Sequence, residues 1–527
     1  MAAFLPLAAH AGKSTVCTIT VNSADEREVL RQSLPEERFE FVELVERGRP
    51  DWLASACRRK VSCDVLVVSG HFAGTEFYSS RFTAHETLKV DEMERAICSD
   101  SCPDLFANLK EVYLFGCDTL KADPVKSAMP EIVRGLVRDG QSRAEAERFA
   151  RALSDRHGEA SRGLMRRLFA NVPVIYGFSS LAPLGRTAGP MLQRHFQSGA
   201  GEEFGTGQAS ARLLSLFGPS SMVVTTGQRD TEPDADYRAQ ACRYADERIT
   251  TAQRVAFMHE LLAGPMPELR MSFDRIEAFF GTLRGEEDAV ALIAGDRATA
   301  ERYLALTRQT ADPALRVRMV SLARTVGWLS AAEEKTELAR TIHDVLAGDM
   351  SFGEVDLICT LQRERGLEDS LQRAGDVPAR KVAQTAGMAC LGNAAARGQV
   401  LRALASADER DVQIAEAYLR HHPIADAAEL RRLARDVARM KGTAAQVRAL
   451  GSLARQRIAD RETIDELAAL FARTGSLEVQ RAVAEVFIRG DASALPGPQL
   501  VALLRQHRLR APGGASDLID VLIQRLS

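Results

Sequence analysis

The sequence lacks several features that would settle its class at once. No apolar run approaches the ~18 residues that cross a bilayer, so no membrane span is expected. Basic charge is not in excess: 68 Lys and Arg stand against 71 Asp and Glu, a formal net charge of −3. That balance excludes the broad electrostatic grip that nucleic acid or an anionic membrane calls for. The glycine-rich stretch "GAGEEFGTG" (199–207) has no Lys-Ser/Thr and follows a helical pattern rather than a strand. It reads as a loop, not a phosphate cradle. The nine cysteines include no CxxC, and no histidine stands at ligand spacing from a close pair, which excludes a zinc ribbon. No cofactor or metal is expected.

What is present is a chain of 527 residues, 46% hydrophobic and 26% charged. That is more than one core usually holds, so at least two domains are expected. The first 230 residues alternate strand and helix signals. "TVCTITV" (15–21), "FEFVELV" (39–45), "CDVLVVSG" (63–70), "EVYLFG" (111–116), "VPVIYGF" (172–178) and "SMVVTT" (221–226) are the strands. The third and fourth are unbroken apolar runs, the mark of strands covered on both faces. A mostly parallel six-stranded sheet follows, with helices on both faces and these two strands side by side at its centre.

After about residue 235 the strand signal stops. Similar helical stretches recur around Val317, Val355, Val382, Val412, Val447 and Val479, at gaps of 38, 27, 30, 35 and 32 residues. An irregular period near 32 suits an α-solenoid of HEAT type; a non-repeating helical bundle is the alternative. The predicted domains are 13–235 and 236–527. Residues 1–12, "MAAFLPLAAHAG", resemble a signal-peptide remnant ending in Ala-His-Ala. They point to a periplasmic or secreted protein, while the missing basic segment leaves a cytoplasmic one open. Five cysteines precede residue 103. Cys57/Cys63 and Cys98/Cys102 are the pairs expected to bridge if the chain is exported.

Two strand ends carry the chemistry. "VVSGHFAG" (67–74) presents His71 and "VYLFGCDTL" (112–120) presents Cys117. In an open parallel sheet, ligands bind beyond the carboxyl ends of the strands. A thiol there is a poor nucleophile until a nearby imidazole takes its proton. The histidine precedes the cysteine by 46 residues, close to the ~50 of caspases.

This pair of blocks resembles those of the caspase-like (clan CD) cysteine peptidases, and most closely the bacterial CHAT peptidases, over about residues 13–230. The segment "VPVIYGFSSLAPLGRTAGPMLQRHF" (172–196) adds weaker support. The resemblance implies a cysteine endopeptidase acting on protein or peptide substrates, with Cys117 as nucleophile and His71 as general acid/base. It also implies an oxyanion hole from the backbone N–H groups of Cys117 and Phe72, where the family has glycine at the latter position. Asp118, Asp64 and Asp25 are candidates for a substrate pocket. The helical half would recruit substrate or restrain the peptidase, with a regulatory protein as its partner. The competing expectation is an inactive caspase-like scaffold that acts as a protein-interaction module.

Overall fold

The computed structural model describes residues 13–22, 24–44, 52–79, 86–98, 104–246, 248–283, 287–367, 381–456, 458–510 and 517–527. The signal-peptide expectation for residues 1–12 lies outside them. The strands are β1 (Ser14–Thr20), β2 (Phe39–Glu43), β3 (Val65–Ser69), β4 (His71–Phe72), β5 (Glu76–Tyr78), β6 (Thr87–Lys89), β7 (Glu111–Phe115), β8 (Val174–Phe178) and β9 (Met222–Thr225). Six form one sheet in the order β2-β1-β3-β7-β8-β9. All its pairings are parallel except β8 with β9.

β3 and β7 lie at the centre, and every one of their residues is buried. Their side chains alternate between two cores, because successive strand residues point to opposite faces. Leu66, Val68, Val112 and Leu114 pack with Met93, Leu168 and Phe169 on one side. Val65, Val67, Tyr113 and Phe115 pack with Leu30, Leu192 and Phe217 on the other. Each fully buried side chain of this size contributes about 1.5–3 kcal/mol. That double burial is why the sequence shows unbroken apolar runs here. A second, three-stranded antiparallel sheet, β4-β5-β6, was not expected.

The expected cysteine pairing is corrected. Cys63 pairs with Cys17, at a Cα separation of 5.7 Å, because β1 and β3 are sheet neighbours while Cys57 leaves on the helix Trp52–Arg58. Cys98 pairs with Cys242, at 5.1 Å, tying helix Val90–Cys98 to helix Ala235–Ala245. Cys102 lies outside the described residues.

The chain forms two compact units, 1–303 and 304–527. The first helices after the sheet therefore belong with it, although the composition changes near residue 235. Glu94 on Val90–Cys98 meets Arg167 at 3.5 Å and Arg275 of helix Met266–Thr282 at 3.1 Å. Arg156 bonds both Asp234 and Glu268, each at 3.1 Å. Glu94 and Arg167 are almost fully buried, so these pairs stand where an unpaired charge would be costly.

In the second unit, helices Phe352–Arg365, Val382–Cys390, Glu409–His421, Thr443–Leu453, Leu477–Arg489 and Leu518–Leu526 pack each on the next. Helices Ala427–Ala438, Arg461–Arg473 and Gly497–His507 form a second such row. Short polar residues start them: the side chains of Asp408, Asp426, Asp460 and Ser476 each accept a backbone N–H of the first turn. The six valines, expected from their spacing to be buried in equivalent positions, are not equivalent. Val355, Val412 and Val479 are buried, but Val317, Val382 and Val447 are only half-buried. An irregular gap shifts a side chain about 100° around the helix per residue.

Candidate functional site

The two strand ends meet closely. The register pairs Ser69 with Phe115, and the Gly70 N–H donates to the Phe115 carbonyl at 3.1 Å. The next residue on β7's side is Gly116. A Cβ there would lie 2.8 Å from the Gly70 carbonyl oxygen and 3.0 Å from Phe72 Cβ, so only glycine lets the chains approach this far. One residue further on each strand stand His71 and Cys117, on neighbouring strand ends at the carboxyl edge of the sheet.

Cys117 is a half-buried free thiol. The Ala182 N–H donates to its Sγ at 3.3 Å. The turn that follows is pinned to the end of β8. The Asp118 N–H donates to the Ser180 carbonyl at 2.7 Å and the Leu120 N–H to the Phe178 carbonyl at 2.9 Å. The Thr119 hydroxyl donates to the Gly116 carbonyl at 3.1 Å and accepts the Phe178 N–H at 3.0 Å. Asp118 itself is left-handed, with φ of 58°. That conformation is uncommon outside glycine, asparagine and aspartate, and persists where the surroundings over-determine it.

His71 is half-buried in β4, with its ring 5.3 Å from that of Tyr78. Its Nε2 lies 3.4 Å from Nδ2 of Asn22, which follows β1. Backbone bonds hold Asn22 there: the Val21 and Asn22 N–H groups both donate to the Ser69 carbonyl, at 2.8 and 3.3 Å. Three neighbouring strands, β1, β3 and β7, thus deliver Asn22, His71 and Cys117 to one edge.

The Ala73 N–H donates to the Glu76 carbonyl at 3.0 Å. In an antiparallel ladder hydrogen-bonded pairs alternate, so the Phe72 N–H is turned away from β5. The Phe72 side chain is buried, its ring 4.7 Å from Phe77. Phe72 therefore fills the core of the hairpin, while Gly74, at φ of 85°, makes its turn.

The three aspartates do not converge. Asp118 forms an ion pair with Lys121 at 3.6 Å. Asp64 precedes β3, at the opposite end of that strand from His71; it accepts the Thr15 N–H at 2.8 Å and pairs with Lys110 at 2.9 Å. That is a strand-anchoring role. Asp25 is exposed in the first turn of helix Asp25–Ser33.

Its neighbour Glu26, which sequence reasoning missed, is buried and hydrogen-bonded to Ser69. Burial lifts its carboxyl from 4.5 to about 7. Its Oε2 is shielded from solvent and has no hydrogen-bond partner among the described residues. The signal was present in "ADEREVL", where Glu26 and Leu30 share the buried face at i and i+4.

Among the described residues, no group of three metal-ligating side chains converges at this edge. The arrangement offers a thiol with a backbone donor, an imidazole held by an amide, and a tight turn that projects the thiol past the sheet. No protein-family model, curated protein or solved structure matches the chain.

Proposed function

We propose that the chain is a caspase-like cysteine endopeptidase working through Cys117 and His71. The observation that carries this reading is the register of β3 on β7, which brings Gly70 against Gly116 and presents His71 and Cys117 on neighbouring strand ends. His71 takes the thiol proton of Cys117. The sulfur attacks the scissile carbonyl carbon, and the carbonyl electron pair moves to oxygen, facing the N–H groups of Phe72 and Cys117. Collapse expels the amine, which takes its proton from His71, and leaves a thioester on Cys117. Water, losing a proton to His71, attacks the thioester; the acid departs and the thiol is restored.

The second unit fits HEAT-like repeats that recruit a protein substrate or restrain the peptidase. Two recurrent interactions support repetition. Gln446 donates to the Val437 carbonyl at 2.9 Å, and Gln480 to the Phe471 carbonyl at 3.0 Å, each nine residues back in sequence. Arg397 bonds Glu429 and Arg435 bonds Glu466, 32 and 31 residues apart.

The test is a peptide-library cleavage profile of the full chain beside Cys117→Ala, with labelling by a peptide-type electrophile. Cleavage and labelling that vanish in Cys117→Ala support the peptidase. Neither activity in the native chain would leave the inactive scaffold, a reading favoured by the bulky Phe72 beside Gly116.

A further inference from the structure

Three side chains from three successive helices of one row meet inside the second unit. Cys359 lies on Phe352–Arg365, Cys390 ends Val382–Cys390, and His422 caps Glu409–His421. One ligand atom from each lies within 4.8 Å of the other two. The cysteine Cα atoms are 4.8 Å apart and the sulfurs are at bonding distance. Both cysteines are buried. His422 is half-buried, with its ring stacked on Tyr418 at 4.7 Å. Its Nε2 is out of contact with solvent and has no hydrogen-bond partner among the described residues.

The spacing explains the convergence. Cys390 follows Cys359 by 31 residues, and His422 follows Cys390 by 32. Helices stacked each on the next bring residues one period apart into a single rib. The rib here consists of two soft sulfur ligands and one imidazole, the donor set that selects zinc and its chemical relatives.

We propose that Cys359, Cys390 and His422 form a metal site for one zinc-class ion when the two cysteines are reduced, and that disulfide and metal site are alternative states of this locus. One tetrahedral zinc with bonds of about 2.0–2.3 Å holds its ligand atoms roughly 3.5–3.8 Å apart. The three ligand atoms already lie within 4.8 Å of one another; the two sulfurs, bonded here, reach that spacing by side-chain rotation once the disulfide is reduced. Two thiolates and a neutral imidazole cancel the charge of a divalent ion, so the buried centre carries no net charge.

The step balances with an external dithiol. Its two sulfurs are oxidised to their own disulfide, the Cys359–Cys390 bond takes up two electrons and two protons, and the entering metal displaces those protons. Loading thus depends on redox state and pins three helices of the row together. Nothing in it depends on the peptidase reading.

The test uses the full chain, reduced with a dithiol, desalted without oxygen and titrated with Co²⁺. One equivalent should develop the sulfur-to-cobalt charge-transfer band and the visible bands of a tetrahedral thiolate site, and Zn²⁺ should bleach them. Cys359→Ser or Cys390→Ser should abolish the bands. His422→Ala should weaken binding at least about tenfold. Because serine in a core can unfold the chain, a second measurement uses the native sequence: Zn²⁺ should raise the Tm of the reduced chain but not of the oxidised one. Absence of thiolate–cobalt bands in the reduced chain would overturn the proposal. So would bands that survive either cysteine substitution, undiminished affinity in His422→Ala, or a Tm that zinc leaves unchanged after reduction.

Discussion

The Asn22 side-chain amide lies 3.4 Å from Nε2 of His71, across the gap between the ends of β1 and β3. The ring is therefore held from one side by a residue with no acid–base chemistry of its own. An amide in this position fixes the orientation of the imidazole and the tautomer it adopts. In the proposed peptidase Asn22 is a positioning residue. Asn22→Ala removes one hydrogen bond worth about 0.5–1.5 kcal/mol. The expected result is a fall of roughly 3- to 10-fold in kcat with KM little changed. Steady-state kinetics on a cleaved peptide checks it, and an unchanged kcat would show that Asn22 is only a surface contact.

Glu26 makes a pH prediction. Its carboxyl is lifted from 4.5 to about 7, chiefly by burial. Between those values the folded chain keeps a proton that the unfolded chain has released. Stability is therefore lost as pH rises through this window, and the penalty is constant above it. The full effect is about 3 kcal/mol. Glu26→Gln keeps the shape and removes the charge. It should match the native chain near pH 4 and exceed it in stability near pH 8 by up to about 3 kcal/mol. Urea unfolding at the two pH values decides this, and parallel curves for both proteins would contradict it.

Gly116 is where packing and chemistry meet. A methyl group there would press on the Gly70 carbonyl oxygen at 2.8 Å, a backbone atom that cannot swing aside. Gly116→Ala should cost about 1–3 kcal/mol by overpacking and push Cys117 away from His71. Electrophile labelling of Cys117 should slow even at temperatures where circular dichroism reports a folded chain. Gly135→Ala, inside helix Met129–Arg138 with open space around it, is the control: it should keep or raise stability and leave labelling unchanged.

Much of this was legible in the sequence for a definite reason. β3 and β7 are buried on both faces, so their apolar runs are unbroken and their central place follows. The strand ends carrying His71 and Cys117 followed with them. The hairpin β4-β5-β6 was not legible, because strands of two and three residues are too short to show a period. Glu26 looked like one more helix-face acid beside Asp25, although its place four residues before the apolar Leu30 puts it on the buried face. The cysteine partners depend on which elements become neighbours. Cys17 and Cys63 are 46 residues apart and Cys98 and Cys242 are 144 apart, distances at which sequence proximity carries no information. In the second unit, aligning valines obscured a better marker, the paired Gln446 and Gln480, whose amides reach back to the preceding helix.

The unit that carries Cys117 and His71 extends past the sheet domain expected from the sequence. Composition changes near residue 235, yet the compact unit runs to residue 303. The difference is physical. Arg275 bonds Glu94, which also holds the buried Arg167, and Cys242 pairs with Cys98. A chain ending at 235 deletes Arg275, Glu268 and Cys242 together and strips a partner from Glu94. Breaking a buried pair in this way costs about 3–5 kcal/mol, a large share of the 5–15 kcal/mol that usually separates folded from unfolded. A chain ending at 303 keeps all of these contacts. It should express as a folded protein with a cooperative thermal transition and react with a peptide-type electrophile at Cys117. The chain ending at 235 should aggregate or melt at least about 10 °C lower. Thermal scans of the two, with labelling of Cys117 read by mass spectrometry, make the comparison. If both melt together, the helices from 235 to 303 contribute nothing to the sheet domain. If only the 303 chain is folded, its rates on a small peptide and on a protein substrate, set beside those of the full chain, report what the second unit adds. Loss on the protein substrate alone would indicate recruitment, and a gain on the small peptide would indicate restraint.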